Sequence, residues 1–208
     1  DLPMVAVIVP TLDSGSTLNQ CLESIRHSTY PRQKRRVIVV DGGSTDGTVR
    51  LASSLGTRVL ARPGTSRGAA CNEGVHHEKG SIVAFTDADA IVTPEWLSRI
   101  VTEMRNDPTL DAIGGPDLGL EDQSRVARAT SAIELFRRKN EARGWKAVFK
   151  IKGVNSAYRR EPFLEVSGFD GNLFYGEESD LHARMVVAGK SIKYSPNLIV
   201  YHKWLGQS

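Results

Sequence analysis

The chain has 208 residues, 40% of them hydrophobic, which fits one α/β domain with a substantial core and excludes disordered or collagen-like chains. Its 27 basic and 24 acidic residues leave a formal charge of +3, too even a balance for a nucleic-acid-binding surface. The two cysteines, Cys21 and Cys71, form no CxxC pair and no disulfide framework, which points to a reducing, cytosolic setting. No apolar run is long enough to span a bilayer, and no signal peptide opens the chain. The sequence begins at Asp1 rather than Met, as a fragment would, which leaves a membrane anchor beyond either end open.

Residues 5–9 (VAVIV) read as a buried strand. Leu18, Cys21, Leu22 and Ile25 then fall on one helical face, with Ser16 as the expected N-cap. A second strand follows at residues 37–40 (VIVV), and a second helix over about 46–55 that Gly56 would stop. Cys71 falls in a further helix, and residues 82–85 form the third strand. Thr93 and Pro94 open a helix whose Leu97, Ile100, Val101 and Met104 make an apolar stripe. Strand alternating with helix is the pattern of a mostly parallel sheet covered on both faces. Ligands of such sheets bind beyond the carboxyl ends of the strands, so the informative residues should follow each strand. The second half is less regular: a charged helix over about 123–143, then weaker strands at 192–194 and 198–201. With no repeat, low-complexity tract or linker, residues 1–208 read as one domain.

Candidate chemistry sits at the strand ends. The first strand runs into Pro10-Thr11-Leu12-Asp13 and the second into Asp41-Gly42-Gly43-Ser44-Thr45-Asp46-Gly47-Thr48. A carboxylate followed by glycines puts an acceptor beside exposed backbone donors, suited to the imide N–H of a uracil or the N–H groups of a guanine. Asp41, ending an apolar strand, reads as binding; Asp46 reads as a turn and helix cap. No GK[ST] follows the glycines and no GxGxxG is present, so neither a P-loop nor a dinucleotide fingerprint applies.

Asp87-Ala88-Asp89 closes the third strand. Two carboxylates separated by one small residue can share Mg²⁺ or Mn²⁺ and leave positions for a substrate diphosphate, although a turn with solvated aspartates has the same sequence. Glu177, Glu178 and Asp180 open a helix, where acids favour the helix dipole and where a carboxylate could also take a proton from an attacking hydroxyl. His202 follows another apolar run; a lone histidine is commonly structural, but imidazole beside a carboxylate-held metal is a normal ligand.

Together these stations resemble the family 2 glycosyltransferases of GT-A fold. The matching pieces are VIVPTLDSGSTLNQCLESI, VIVVDGGSTDGT, Arg67-Gly68 to Asn72-Glu73-Gly74, IVAFTDADAIVTPEWL, the stretch from Gly153 to Arg160, Gly168-Phe169-Asp170, GEESDLHARMVVAG and Tyr201-His202, in the family's order over nearly the whole chain. The resemblance implies a nucleotide-binding half over about 1–115 and an acceptor-side half over about 116–208. It implies a nucleotide-sugar site made by Pro10, Thr11, Asp13, Asp41, Gly43, Arg67, Asn72, Asp87 and Ala88. Within it, Thr11 and Asp41 would meet the base, Arg67 the base and diphosphate, and Asp87 the ribose or donor sugar. Asp89 and His202 would hold the divalent metal, and Glu178 would be the base of a single inverting displacement. The family's usual acid pair is Glu-Asp where this chain has Glu-Glu, which leaves Glu177 and Asp180 as alternatives to Glu178. Asp13 stands where the family often carries Asn, so its role is open.

A sugar nucleotidyltransferase would normally carry a basic residue in the loop after the first strand, and PTLDSGSTL has none. A non-catalytic nucleotide-sugar-binding module would not need the DxD, the acid cluster and His202 together. The acceptor is a carbohydrate or a lipid-linked group. The basic stretch 136–152, with Trp145, Val148 and Phe149, reads either as a solvated helix and loop or as a surface meeting anionic lipid at the cytoplasmic face of a membrane.

Overall fold

The computed structural model describes residues 1–119, 132, 133, 136 and 151–203. Strands β1 (Val5–Thr11), β2 (Arg35–Asp41), β3 (Arg58–Ala61) and β4 (Ile82–Phe85) run parallel. With β6 (Leu110–Gly114), β8 (Ser156–Arg159) and β9 (Ser191–Tyr194) they form a seven-stranded sheet of order β3-β2-β1-β4-β8-β6-β9, in which β8 alone runs antiparallel to its neighbours. A smaller sheet, β5-β10-β7, joins β5 (Ala90–Val92), β7 (Asp117–Gly119) and β10 (Val200–His202). This is the mostly parallel α/β layout of the GT-A fold.

The central strands are apolar on both sides because both sides are covered. Val5, Val7 and Val9 of β1 point into one core with α1 (Leu18–Arg26) and α4 (Trp96–Asn106). Ala6 and Ile8 point into the other with α3 (Arg67–His77), α5 (Arg160–Glu165) and α6 (Glu177–Val187). Alternate residues thus reach opposite layers, and a period-2 pattern of polarity never appears. Gly74 lets α3 lie close: a Cβ there would come within 2.5 Å of Ile8 Cγ2. Phe85, Tyr158, Phe163 and Phe169 close the second core with ring centroids 5.3–6.4 Å apart.

Asn155 is the joint between the layers. Fully buried, it accepts from Trp96 Nε1 at 2.9 Å and donates to the carbonyls of Pro116 and Leu198 at 2.9 and 2.6 Å. A buried carboxamide with these groups satisfied holds α4, the start of β7 and the approach to β10 together.

Some expectations shift. Ser16 does not cap α1: Thr17 holds the N-cap position without a side-chain bond, and the Ser14 carbonyl takes the amides of Thr17 and Leu18. The last strand is Val200–His202 rather than 198–201, because the Val200 amide is the first to enter the ladder, bonding the Pro116 carbonyl. The helix α2 (Thr48–Ser54) ends before Gly56, whose φ of +69° supplies the expected left-handed stop. Both cysteines are free and buried. Of the charged helix expected over 123–143, only residues 132, 133 and 136 are described, and they are helical; most of the basic stretch 136–152 lies outside the described residues. Among the described residues, no helix is long and apolar enough to cross a membrane.

His182 on α6 is almost fully buried, its Nε2 2.9 Å from the Tyr158 hydroxyl, and burial lowers its pKa from 6.5 to about 4 against the pull of Glu178. The unfolded chain therefore binds a proton here between pH 6.5 and 4 while the folded chain does not, so stability falls as pH falls through that window. From pH 6.5 to 4, urea titration should show wild type losing about 3 kcal/mol more than His182→Gln. Parallel curves for the two proteins would show that His182 does not carry the effect.

Candidate active site

The parallel strands deliver their carboxyl ends to one edge, and a cleft of about 440 Å³ opens there. Pro10, Thr11, Asp13, Arg67, Asp87, Ala88, Asp89 and His202 all line it. A larger open groove, about 910 Å³, lies between α1, β2 and β3 and contains none of the expected residues.

Thr11 and Asp41 are direct neighbours in the β1/β2 ladder. Asp41 is 3% exposed; its Oδ2 accepts the amides of Gly43 and Ser44, each at 3.0 Å. Its Oδ1 and the Thr11 hydroxyl are buried with no hydrogen-bond partner among the described residues. Leaving two polar atoms unpaired side by side is costly unless something arrives to bond them. Gly43 adopts φ +107°, which an L side chain rarely takes, and so allows the turn that aims its amide back at Asp41.

Asp13 is a loop stitch. Its backbone sits at φ +46°, its amide donates to Ser44 Oγ at 2.8 Å, and its Oδ1 accepts from the Thr45 amide at 2.8 Å. Asp is one of the few side chains, with Asn, that tolerates that left-handed backbone. Asp46 serves the turn rather than the N-cap, which Gly47 holds: it accepts from the Thr48 amide at 3.0 Å and the Gly15 amide at 2.8 Å.

Asn72 does not line the cleft. Its carboxamide is used on the backbone of Phe169, donating to the carbonyl at 2.7 Å and accepting from the amide at 3.0 Å. It clamps the 168–171 turn to α3, which removes it from the donor-contact set. Ser66, not singled out in the sequence, caps α3 by accepting from the Ala69 amide and donates to the Gly171 carbonyl at 2.7 Å. A serine just before the helical stretch RGAACNEG was the available signal.

Asp87, Asp89 and His202 offer ligand atoms within 4.8 Å of one another. Asp89 leads into β5 and His202 ends β10, where it pairs with Ala90. His202 Nε2 is 3.0 Å from Asp89 Oδ1. Burial opposes charge on His202, but Asp117 and Asp89 outweigh it and raise its pKa to about 9. Two carboxylates and an imidazole suit a divalent ion, and the nitrogen donor favours Mn²⁺ over Mg²⁺. Asp87, expected to face ribose or sugar, thus also lies in the group that could hold a metal ion.

Arg67 ties this group to the acid cluster. Its Nη2 is 2.6 Å from Asp87 Oδ1, and its Nη1 is 3.4 Å from Glu177 and 3.9 Å from Glu178. The three acids opening α6 separate clearly. Asp180 pairs with Arg184 one turn along. Glu177 has only 7% of its side chain exposed, and burial pushes its carboxyl above the usual range against the pull of Arg67. Glu178 is 25% exposed and accepts the Gly153 amide at 3.1 Å through Oε1.

The description "Glycosyl transferase family 2" matches residues 6–167. The chain belongs to this family. Among its relatives are the glycosyltransferase AglE of Haloferax volcanii, 27% identical over 97% of this chain and 67% of its own length, and the O-antigen chain rhamnosyltransferase RfbN of Salmonella typhimurium, 28% identical over 95% and 66%. Solved family folds resemble it throughout. The mannosyltransferase PcManGT from Pyrobaculum calidifontis, in complex with GDP-Man and Mn²⁺, superposes with a TM-score of 0.80 at 25% identity, covering 100% of this chain and 59% of that one. S. aureus TarS 1–349 with UDP-GlcNAc gives 0.77 at 16% identity, covering 99% and 60%, a likeness of fold. The family 2 chain described here spans about two thirds of these curated relatives and three fifths of the solved chains.

Proposed function

We propose that the chain is an inverting, metal-dependent glycosyltransferase domain, moving a sugar from a UDP- or GDP-sugar to a carbohydrate hydroxyl or a lipid-linked group at the cytoplasmic face of a membrane. The observation that carries this reading is the Asp87–Asp89–His202 set at a cleft lined by Thr11, whose ladder partner Asp41, like Thr11 itself, keeps a buried oxygen without a hydrogen-bond partner among the described residues. An imide or amidine N–H of a base would satisfy Asp41, and its carbonyl would take the Thr11 proton. Residues 1–115 then serve the nucleotide and 116–208 the acceptor. The PcManGT complex, with GDP-Man and Mn²⁺, supports both the donor class and the ion.

Asp87, Asp89 and His202 would hold the metal, which when bound offsets the charge that builds on a departing nucleoside diphosphate. Arg67, already bridging Asp87 and the acid cluster, keeps the donor side and acceptor side in register. Glu178, the more exposed glutamate of the pair, accepts the proton of the acceptor hydroxyl as its oxygen attacks the anomeric carbon. The Gly153 amide, bonded to Oε1, orients that carboxylate and leaves Oε2 to receive the proton.

Calorimetry with UDP and GDP, with and without Mn²⁺, on wild type and Asp89→Ala tests the reading. The expected result is Mn²⁺-dependent binding of one nucleotide, lost in Asp89→Ala. Failure of a folded wild-type chain to bind either nucleotide would overturn it.

A further inference from the structure

Behind the metal-ligating group lies a carboxylate that no motif announces. Asp117, the first residue of β7, is 1% exposed, and its Oδ1 accepts from Lys152 Nζ at 2.6 Å. Its Oδ2 faces Nδ1 of His202 at 3.7 Å, on the side of the ring opposite the Nε2 that meets Asp89. The β7/β10 ladder sets this arrangement: Asp117 pairs with Val200, two residues before His202, so both side chains leave the same face of the small sheet.

We propose that Asp117 is a positioning residue for His202, keeping the ring proton on Nδ1 so that the Nε2 lone pair faces Asp87 and Asp89. Imidazole ligands almost always present their second nitrogen to a carboxylate or carbonyl, which fixes both tautomer and ring plane. A buried carboxylate needs a counter-charge to be tolerable, and Lys152 supplies one from the far side. Lys152 directly precedes Gly153, whose amide holds Glu178. One short segment therefore braces both the metal ligand and the proposed base.

The inference rests on the metal reading above, and the experiment separates the two. Mn²⁺ alone is titrated against wild type, Asp89→Ala and Asp117→Asn, following the free ion by electron paramagnetic resonance. Binding by wild type that Asp89→Ala loses establishes the metal site. Asp117→Asn, with an unchanged melting temperature, should then bind about 10- to 100-fold more weakly. Binding within twofold of wild type would overturn the role of Asp117 while leaving the metal site standing. Equal binding by wild type and Asp89→Ala would overturn the metal reading itself, and the inference with it. Nitrogen NMR of the Zn²⁺-loaded wild type gives a measurement independent of how the variant folds. A ring proton on Nδ1 of His202 supports the assignment, and its absence there overturns it.

Discussion

Glu178→Gln should lower turnover by a factor of about 10²–10⁴ while leaving donor binding near wild type. The amide keeps the shape and can still face the Gly153 N–H, but it takes no proton from an acceptor hydroxyl. The neighbouring acids discriminate the assignment. Asp180 is committed to Arg184, so Asp180→Asn should affect stability more than turnover. Glu177 is buried against Arg67, and Glu177→Gln should weaken the bridge to Asp87, raising donor KM more than it lowers kcat. Single-turnover kinetics with a bound donor would compare the three. If Glu177→Gln instead abolishes the chemical step and Glu178→Gln does not, the base is Glu177.

The second large effect is expected from one added methyl group. A Cβ on Gly153 would lie 2.5 and 2.6 Å from the Arg67 guanidinium nitrogens and 2.7 Å from Glu178 Oε1. All three atoms are ends of flexible side chains, so they can move aside, and the cost to folding is small. The cost to function is not. Arg67 and Glu178 would both leave their places, and a displacement of about 1 Å in a reacting geometry can cost about 10² in rate. Gly153→Ala should therefore melt close to wild type yet turn over about 100-fold more slowly. Melting curves and kcat measured on one preparation check it; full activity would mean that neither side chain needs its observed position.

The strands that line the cleft edge were legible because each carries an unbroken apolar run that ends at polar residues: Thr11, Asp41, and Thr86-Asp87 after β4. Chain-local signals also located α1, α4 and α6. The short strands β3, β5, β6, β7 and β8 were not, since three to five residues with mixed composition carry no period to read. Site residues divide in the same way. Asp89 and His202 stand at strand ends and were found there. Asp117 and Lys152 act across 85 and 50 positions from His202, through a ladder that no local pattern encodes. Asn72 misled for a related reason: a polar side chain in a motif-rich helix resembles a ligand contact until its partner, the Phe169 backbone, is seen.

The proposed donor site is shared between two mountings. Thr11 and Asp41, proposed to read the base, ride on the seven-stranded sheet, whereas Asp89, His202 and Asp117 border or belong to the three-stranded one. Asn155 rivets these mountings together from its buried position between Trp96, Pro116 and Leu198. Because Asp87 follows β4 of the larger sheet while Asp89 and His202 border or belong to the smaller one, the proposed ion site straddles both mountings and depends on that rivet to keep its ligands together.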